Sequence, residues 1–155
     1  MIVARIVAIL GLGLLLSAQT SDSDDLDAAF EKETLVISAS EHACHVFDIY
    51  LAMNRKQQMR GLMHVRHLPD FTGMLFVYRD ASNHSMWMKN TFIPLDMLFI
   101  RADGTVSSIE TNTVPQSLET ISSVEPVNFV LELNAGVTER LHITTESIVY
   151  FPTDD

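Results

Sequence analysis

The residues of this chain whose types and spacing could do chemistry gather between Trp87 and Asp96. Around Trp87, strand alternation sends Trp87 and Lys89 to one face and Met86 and Met88 to the other. Lys89 and Asp96 flank a connection in which Pro94 ends ladder pairing, so the two charges can meet across a hairpin. Two readings are open. In one, Lys89 and Asp96 form an ion pair that pins the loop. In the other, Lys89, Asn90, Thr91 and Asp96 sit beside Trp87 at a pocket mouth and offer ammonium, amide, hydroxyl and carboxylate to a polar ligand. Glu132 and Asn134 extend this candidate ligand-binding set: in the run NFVLEL, Phe129, Leu131 and Leu133 take one face, and Glu132 and Asn134 share the other with Val130. For Asn134, capping of a loop is the competing role. An enzyme built on Lys89 and Asp96 would require a lysine buried beside another cation, and nothing local supplies one.

Copper is the alternative to a cofactor-free reading. Seven of the eight methionines fall between Met53 and Met97, and five of the six histidines between His42 and His84. Thioether sulfur is a soft ligand that selects Cu(I). His84, Met86 and Met88, with Trp87 nearby, are a weak metal set, similar only by analogy to the His, Met and Trp residues of periplasmic copper chaperones. Alternation places Met86 and Met88 away from Trp87, and Met59, Met63, Met74 and Met97 each lie in an apolar run where core packing accounts for them. His64 and His67 are spaced to meet on one helical turn, but no third ligand is evident, which argues against a zinc site. No serine stands in a G-x-S-x-G turn, and glycine-rich phosphate loops are lacking.

The elements that must position these residues follow from composition and pattern. A chain of 155 residues, 47% hydrophobic, is one domain. Residues 1–18 have a signal-peptide profile: an apolar run from Ile2 to Leu16, broken by Arg5, then Ser17 and the small Ala18 at a cleavage point. The run is shorter than the roughly 20 residues that a spanning helix needs, so stable membrane insertion after cleavage is not expected. The expected location is periplasmic or extracellular. A formal net charge of −10 repels phosphate backbones and anionic lipid surfaces, which argues against nucleic-acid or membrane partners. Cys44, the single cysteine, can form no internal disulfide and reads as a half-buried free thiol at a strand start.

Residues 19–33, with six acids and only Leu26 and Phe30 as large apolar side chains, read as an acidic disordered linker. Residues 34–155 read as a single domain. TLVIS and HVFDIYLA alternate as strands. Asn54 with Gln57 forms a capping-box pattern over Arg55 to Arg60, Gly61 supplies the stop, and Met59 and Leu62 are expected to face the core. GMLFVYR, SMWMK and LDMLFIR read as strands, the last closed by the hairpin signal Asp103-Gly104 and a return over Thr105 to Ile109. Glu110 to Pro126 reads as a long loop of the kind that often binds. NFVLEL, a helical turn over Ala135 to Leu141, and SIVYF complete the chain.

Five blocks occur in order: Arg60-Gly61-Leu62-Met63; Gly73-Met74-Leu75-Phe76-Val77; Trp87-Met88-Lys89-Asn90-Thr91; Ile93-Pro94-Leu95-Asp96 with Leu98-Phe99-Ile100; and Val130-Leu131-Glu132-Leu133-Asn134-Ala135-Gly136. In these the chain resembles, over residues 44–151, the bacterial and archaeal family called domain of unknown function 192. The resemblance implies a β-rich domain, often exported, without an established activity. Val114-Pro115-Gln116-Ser117 replace a loop that often carries cysteines in that family, and His142 and Glu146 stand where its final turn usually has glycines. The expected architecture is α+β and β-rich, a small barrel-like or strongly curved, mostly antiparallel sheet with one or two short helices. The expected role is a ligand-binding or accessory module without catalysis, whose partner is an unknown small polar ligand or a protein. The alternatives are a copper-binding protein and an enzyme using Lys89 and Asp96.

Overall fold

Alternating side chains over the second quarter of the chain force a two-sided sheet. The computed structural model describes residues 22–151, except the side chain of Asp24. The expected signal peptide and the first three residues of the expected linker lie outside these. The described chain runs α1 (Asp22–Ala29), β1 (Glu31–Ser40), β2 (Ala43–Ala52), α2 (Arg55–Arg60), β3 (Thr72–Ser82), β4 (Ser85–Met86), β5 (Leu95–Ile100), β6 (Val106–Glu110), β7 (Ile121–Ser122), β8 (Val127–Asn134), α3 (Val137–Arg140) and β9 (Ile148–Tyr150).

Seven strands form one sheet in the order β6-β5-β8-β3-β2-β1-β9, and β4 pairs with β7 separately. Every pairing is antiparallel except β2 with β3. The sheet curls until its two edges touch: Thr105 bridges Ile148, and Val149 N–H donates to Gly104 O at 2.8 Å. This is the α+β, strongly curved sheet expected from the pattern.

The period of two sorts the apolar residues into two cores. Leu35, Ile37, Phe47, Ile49, Leu75, Leu98, Leu131 and Leu133 fill one, joined by Val106 and Val149 from the edge strands. Tyr50, Met74, Phe76, Met97, Phe99 and Val130 begin the other, which Leu26, Phe30, Leu62, Val65, Leu68 and Met88 cover from outside the sheet. The candidate site lies in this second layer.

From Asp22 onward the linker expectation is corrected. Leu26 and Phe30, one helical turn apart, are both buried, and Phe30 N–H closes onto Leu26 O at 2.9 Å. The aspartates of α1 act as fasteners: Asp27 accepts from Tyr50 Oη and pairs with Lys32 at 2.8 Å each, and Asp22 accepts from the backbone of Arg66 and His67. Low apolar content misled because two large side chains, placed on one face, are enough to dock a two-turn helix on an existing layer. β1 also begins earlier than expected, at Glu31.

α2 forms as its sequence dictates. Asn54 accepts from Gln57 N–H, Gln57 reciprocates to the Asn54 backbone, and Gly61 takes a positive φ at the stop. Gln58 Nε2 ties the helix to Ala52 O and Val77 O. Leu62 is buried as expected, whereas Met59 is 65% exposed. Cys44 does start a strand but is exposed.

Two further expectations change. Only Ser85–Met86 of SMWMK is strand, since β4 finds a partner no longer than Ile121–Ser122. The long loop from Glu110 to Pro126 spends its backbone on the Trp87 segment: Ser117 O accepts from Met88 N–H, Gln116 N–H donates to Thr91 O, and Ser123 N–H donates to His84 O.

The curl closes where a side chain cannot fit. Gly104 has φ +85, and a Cβ there would lie 2.2 Å from Val149 O. Gly104→Ala is expected to lower stability by about 2 kcal/mol or more, checked by denaturant unfolding, with the loss falling on the β9 edge in hydrogen exchange.

Candidate functional site

The second core layer is incomplete over β8, leaving a cavity of about 230 Å³. α2 and the turn after it contribute Arg55, Gln58, Met59, Arg60, Leu62 and Met63, and β3 contributes Phe76 and Tyr78. Ser85 and Met86 of β4, then Trp87, Lys89 and Thr91, form the opposite wall, and Glu132 of β8 completes the lining. Alternation puts Met74, Phe76 and Tyr78 on one face of β3, the face that Glu132 takes on β8, where it stands opposite Met74 on one side and Met97 on the other.

Glu132 is the one acid of this lining, and it is 4% exposed. No hydrogen-bond donor or ion-pair partner among the described residues reaches its carboxyl. Burial pushes its pKa up to about 8, because the charged form loses its hydration and gains no partner in return. Tyr78 is pushed up to about 12, first by burial and then by the negative charge of Glu132. Its hydroxyl donates to Met86 Sδ at 3.7 Å, and its ring stacks on His84 with centroids 3.5 Å apart.

The mouth carries the opposite charge. Arg55 and Lys89 are exposed, and neither has an acidic partner among the described residues. Lys89 Nζ lies 5.4 Å from the ring centroid of Trp87, itself 52% exposed. Arg60 is held back by Asp25 at 2.5 Å and by the ring of Phe30. A buried acid below and basic groups above give the cavity a polarity from floor to mouth.

Of the residues expected at a site, Trp87, Lys89, Thr91 and Glu132 converge here. Asp96 does not. It is fully buried and saturated: Oδ1 accepts from Asn112 N–H at 3.0 Å, and Oδ2 from Thr138 N–H at 3.0 Å and Thr138 Oγ1 at 2.7 Å. The expected Lys89–Asp96 meeting is therefore corrected, because Asp96 turns under α3 while Lys89 stays above Trp87. Asn90 takes a left-handed turn (φ 57), and its amide faces Met63 Sδ at 3.8 Å rather than the cavity. Asn134 caps a loop by donating to Leu68 O at 2.8 Å.

The metal set His84, Met86 and Met88 is divided among separate partners. His84 Nε2 bonds Ser82 Oγ, Met86 faces the cavity, and Met88 is fully buried with its sulfur accepting from Thr113 Oγ1 at 3.2 Å. No group of three or more His, Cys, Asp or Glu able to hold a metal occurs among the described residues. Tyr78, Met63 and Arg55 were not legible as site residues. Alternation from Phe76 would have placed Tyr78 beside Glu132, but nothing local shows that the turn after α2 faces the Trp87 segment.

A curled seven-stranded sheet with a cavity over a buried carboxyl defines a β-rich α+β domain. The chain belongs to the domain of unknown function 192 family, whose model, described as "Uncharacterized ACR", matches residues 35–151. Two crystal structures share the fold. One, from Sinorhizobium meliloti 1021 and provisionally described as a transcription regulator, is 40% identical with a TM-score of 0.77, covering 78% of this chain and 94% of that one. The other, a protein of unknown function from Novosphingobium aromaticivorans DSM 12444, is 32% identical with a TM-score of 0.76, covering 79% and 86%. No curated protein matches.

Because Glu132 binds its proton more tightly folded than unfolded, its contribution to stability is full below about pH 4.5 and is lost as pH rises towards 8. The loss amounts to roughly 4 kcal/mol. Glu132→Gln is expected to flatten that slope and to exceed the parent in stability at pH 8, as read by urea unfolding across pH. Asp96→Ala orphans three donors and is expected to cost roughly 3 kcal/mol at neutral pH. An unchanged unfolding midpoint would contradict its structural role.

Proposed function

We propose that the chain is an exported binding module that holds a small polar ligand in the cavity between α2 and the Trp87 segment, without transforming it. The supporting observation is Glu132: a residue only 4% exposed, lining a cavity, whose carboxyl has no donor among the described residues. Buried polar groups in native proteins are paired as a rule, and one that is left unpaired at a cavity is a place for a ligand's donor. The apolar walls of Phe76, Met86 and Trp87 supply contact area, and Arg55 and Lys89 supply charge at the mouth. Export rests on the apolar run and Ala18 of residues 1–18. Among the described residues, no helix is long and apolar enough to cross a membrane. The Sinorhizobium protein's description names it a transcription regulator, and a net charge of −10 disfavours direct contact of this chain with nucleic acid.

A second reading is favoured by three thioethers, Met59, Met63 and Met86, lining the same cavity. Such a set suits Cu(I), with a different membership from that expected of the sequence.

Trp87 is the only tryptophan and lines the cavity, so its emission reports on occupancy. Screening sugars, organic acids, amines, amino acids and nucleosides is expected to give a saturable change with at least one class, abolished in Glu132→Leu. Cu(I) quenching at one equivalent, lost in Met86→Leu and kept in Glu132→Leu, would instead establish the metal reading. Silence from every compound, with no thermal shift, would end the pocket reading.

A further inference from the structure

The distribution of charge within the cavity narrows the ligand class, on the premise that the cavity is a ligand site. The acid lies at the buried end, lined by Phe76, Tyr78 and Met86, and the free basic groups, Arg55 and Lys89, are exposed. An unpartnered carboxyl beside the side chains of Phe76, Tyr78 and Met86 suits an organic ammonium: the carboxylate supplies a charge-assisted hydrogen bond, and the apolar lining packs against the carbons that carry the ammonium. A simple amine, however, would have to pass two cations and leave them unused. An anion alone would meet Arg55 and Lys89 but find a carboxyl below. A neutral hydroxyl compound would gain only an ordinary hydrogen bond, worth about 1 kcal/mol. One arrangement satisfies both ends.

We propose that the cavity takes a small zwitterion, its ammonium directed inward to Glu132 and its carboxylate held outward by Arg55 and Lys89. A volume of about 230 Å³ suits a free amino acid or an ω-amino acid rather than a peptide. Lys89 is held over Trp87 in the free protein, so the carboxylate draws it from the ring face, which couples binding to the tryptophan signal.

Ammonium binding requires the ionised carboxyl, so a proton leaves Glu132 as the zwitterion enters below about pH 8. The titratable groups that line the cavity with this carboxyl are Tyr78 of β3, whose ring stacks on His84, Arg55 and Arg60 of α2, and Lys89; the residues paired with Glu132 on the flanking strands are Met74 and Met97. Tyr78 stays protonated throughout this range.

The test titrates the full chain with the twenty α-amino acids and with ω-amino acids from glycine to 6-aminohexanoate, following Trp87 emission. The best binder is then compared with its amine-only and acid-only analogues, such as pentylamine and pentanoate for 5-aminopentanoate. The expected result is that both analogues bind at least tenfold more weakly and that Glu132→Gln costs the zwitterion at least tenfold. Affinity should also rise by more than tenfold from pH 6 to pH 8 in the parent and stay flat in Glu132→Gln. Arg55→Ala with Lys89→Ala should weaken the zwitterion and spare pentylamine. If neutral or acid-only compounds from the wider screen bind while no zwitterion does, or if Glu132→Gln changes no affinity, the zwitterion proposal is wrong and the pocket stands. If nothing in either panel binds, both fall together.

Discussion

A carboxyl group on the central strand β8, set at the floor of a cavity without a protein donor among the described residues, is the constraint around which this molecule is organised. Strand β8 pairs with β3 and β5 on its two sides, so Glu132 cannot turn away to solvent without breaking the ladder that joins the halves of the sheet. Val130, Met74 and Met97 beside it on that face are apolar, and burial raises its pKa to about 8. An apolar side chain there would complete the layer at lower cost, since an unpaired polar group in a core lowers stability.

The surrounding elements hold that cavity open. α2 is tied to the sheet by Gln58 and to α1 by the Arg60–Asp25 pair, and α1 is fastened through Asp27 to Tyr50 and through Asp22 to the loop at Arg66. On the far side, the long loop between β6 and β8 braces the Trp87 segment through its backbone. The helix side and the Trp87 side are therefore anchored independently, and the gap between them persists because neither wall can collapse onto the other without losing its own bonds. Asp96 contributes from beneath by joining β5 to α3 and to the loop at Asn112. Its chemistry is spent on positioning, although its type and place suggested a site residue.

The family relation fits a conserved scaffold more readily than it specifies a task. A relative sharing 40% of its residues and nearly all of its length with this chain carries a regulatory description, while another carries none. The acidic balance of this chain, a net charge of −10, disfavours contact with a nucleic acid.

Local pattern was enough to determine the strands over β1, β2, β3, β5, β8 and β9, the capped helix α2 and the Asp103-Gly104 hairpin, because alternation and capping are written in neighbouring residues. It also determined that Glu132 and Val130 share a face opposite Leu131 and Leu133. Only the tertiary structure decided what that face meets. The convergence of Tyr78, Glu132, Met63 and Trp87 joins segments far apart in the chain, and no periodicity encodes such distances. The same limit hid the docking of α1, whose two apolar side chains gain their meaning from a surface supplied elsewhere, and the fate of Asp96, whose donors come from Asn112 and Thr138. Spacing along a chain fixes which way a side chain points from its own element, whereas burial and pairing depend on what the rest of the fold brings opposite it.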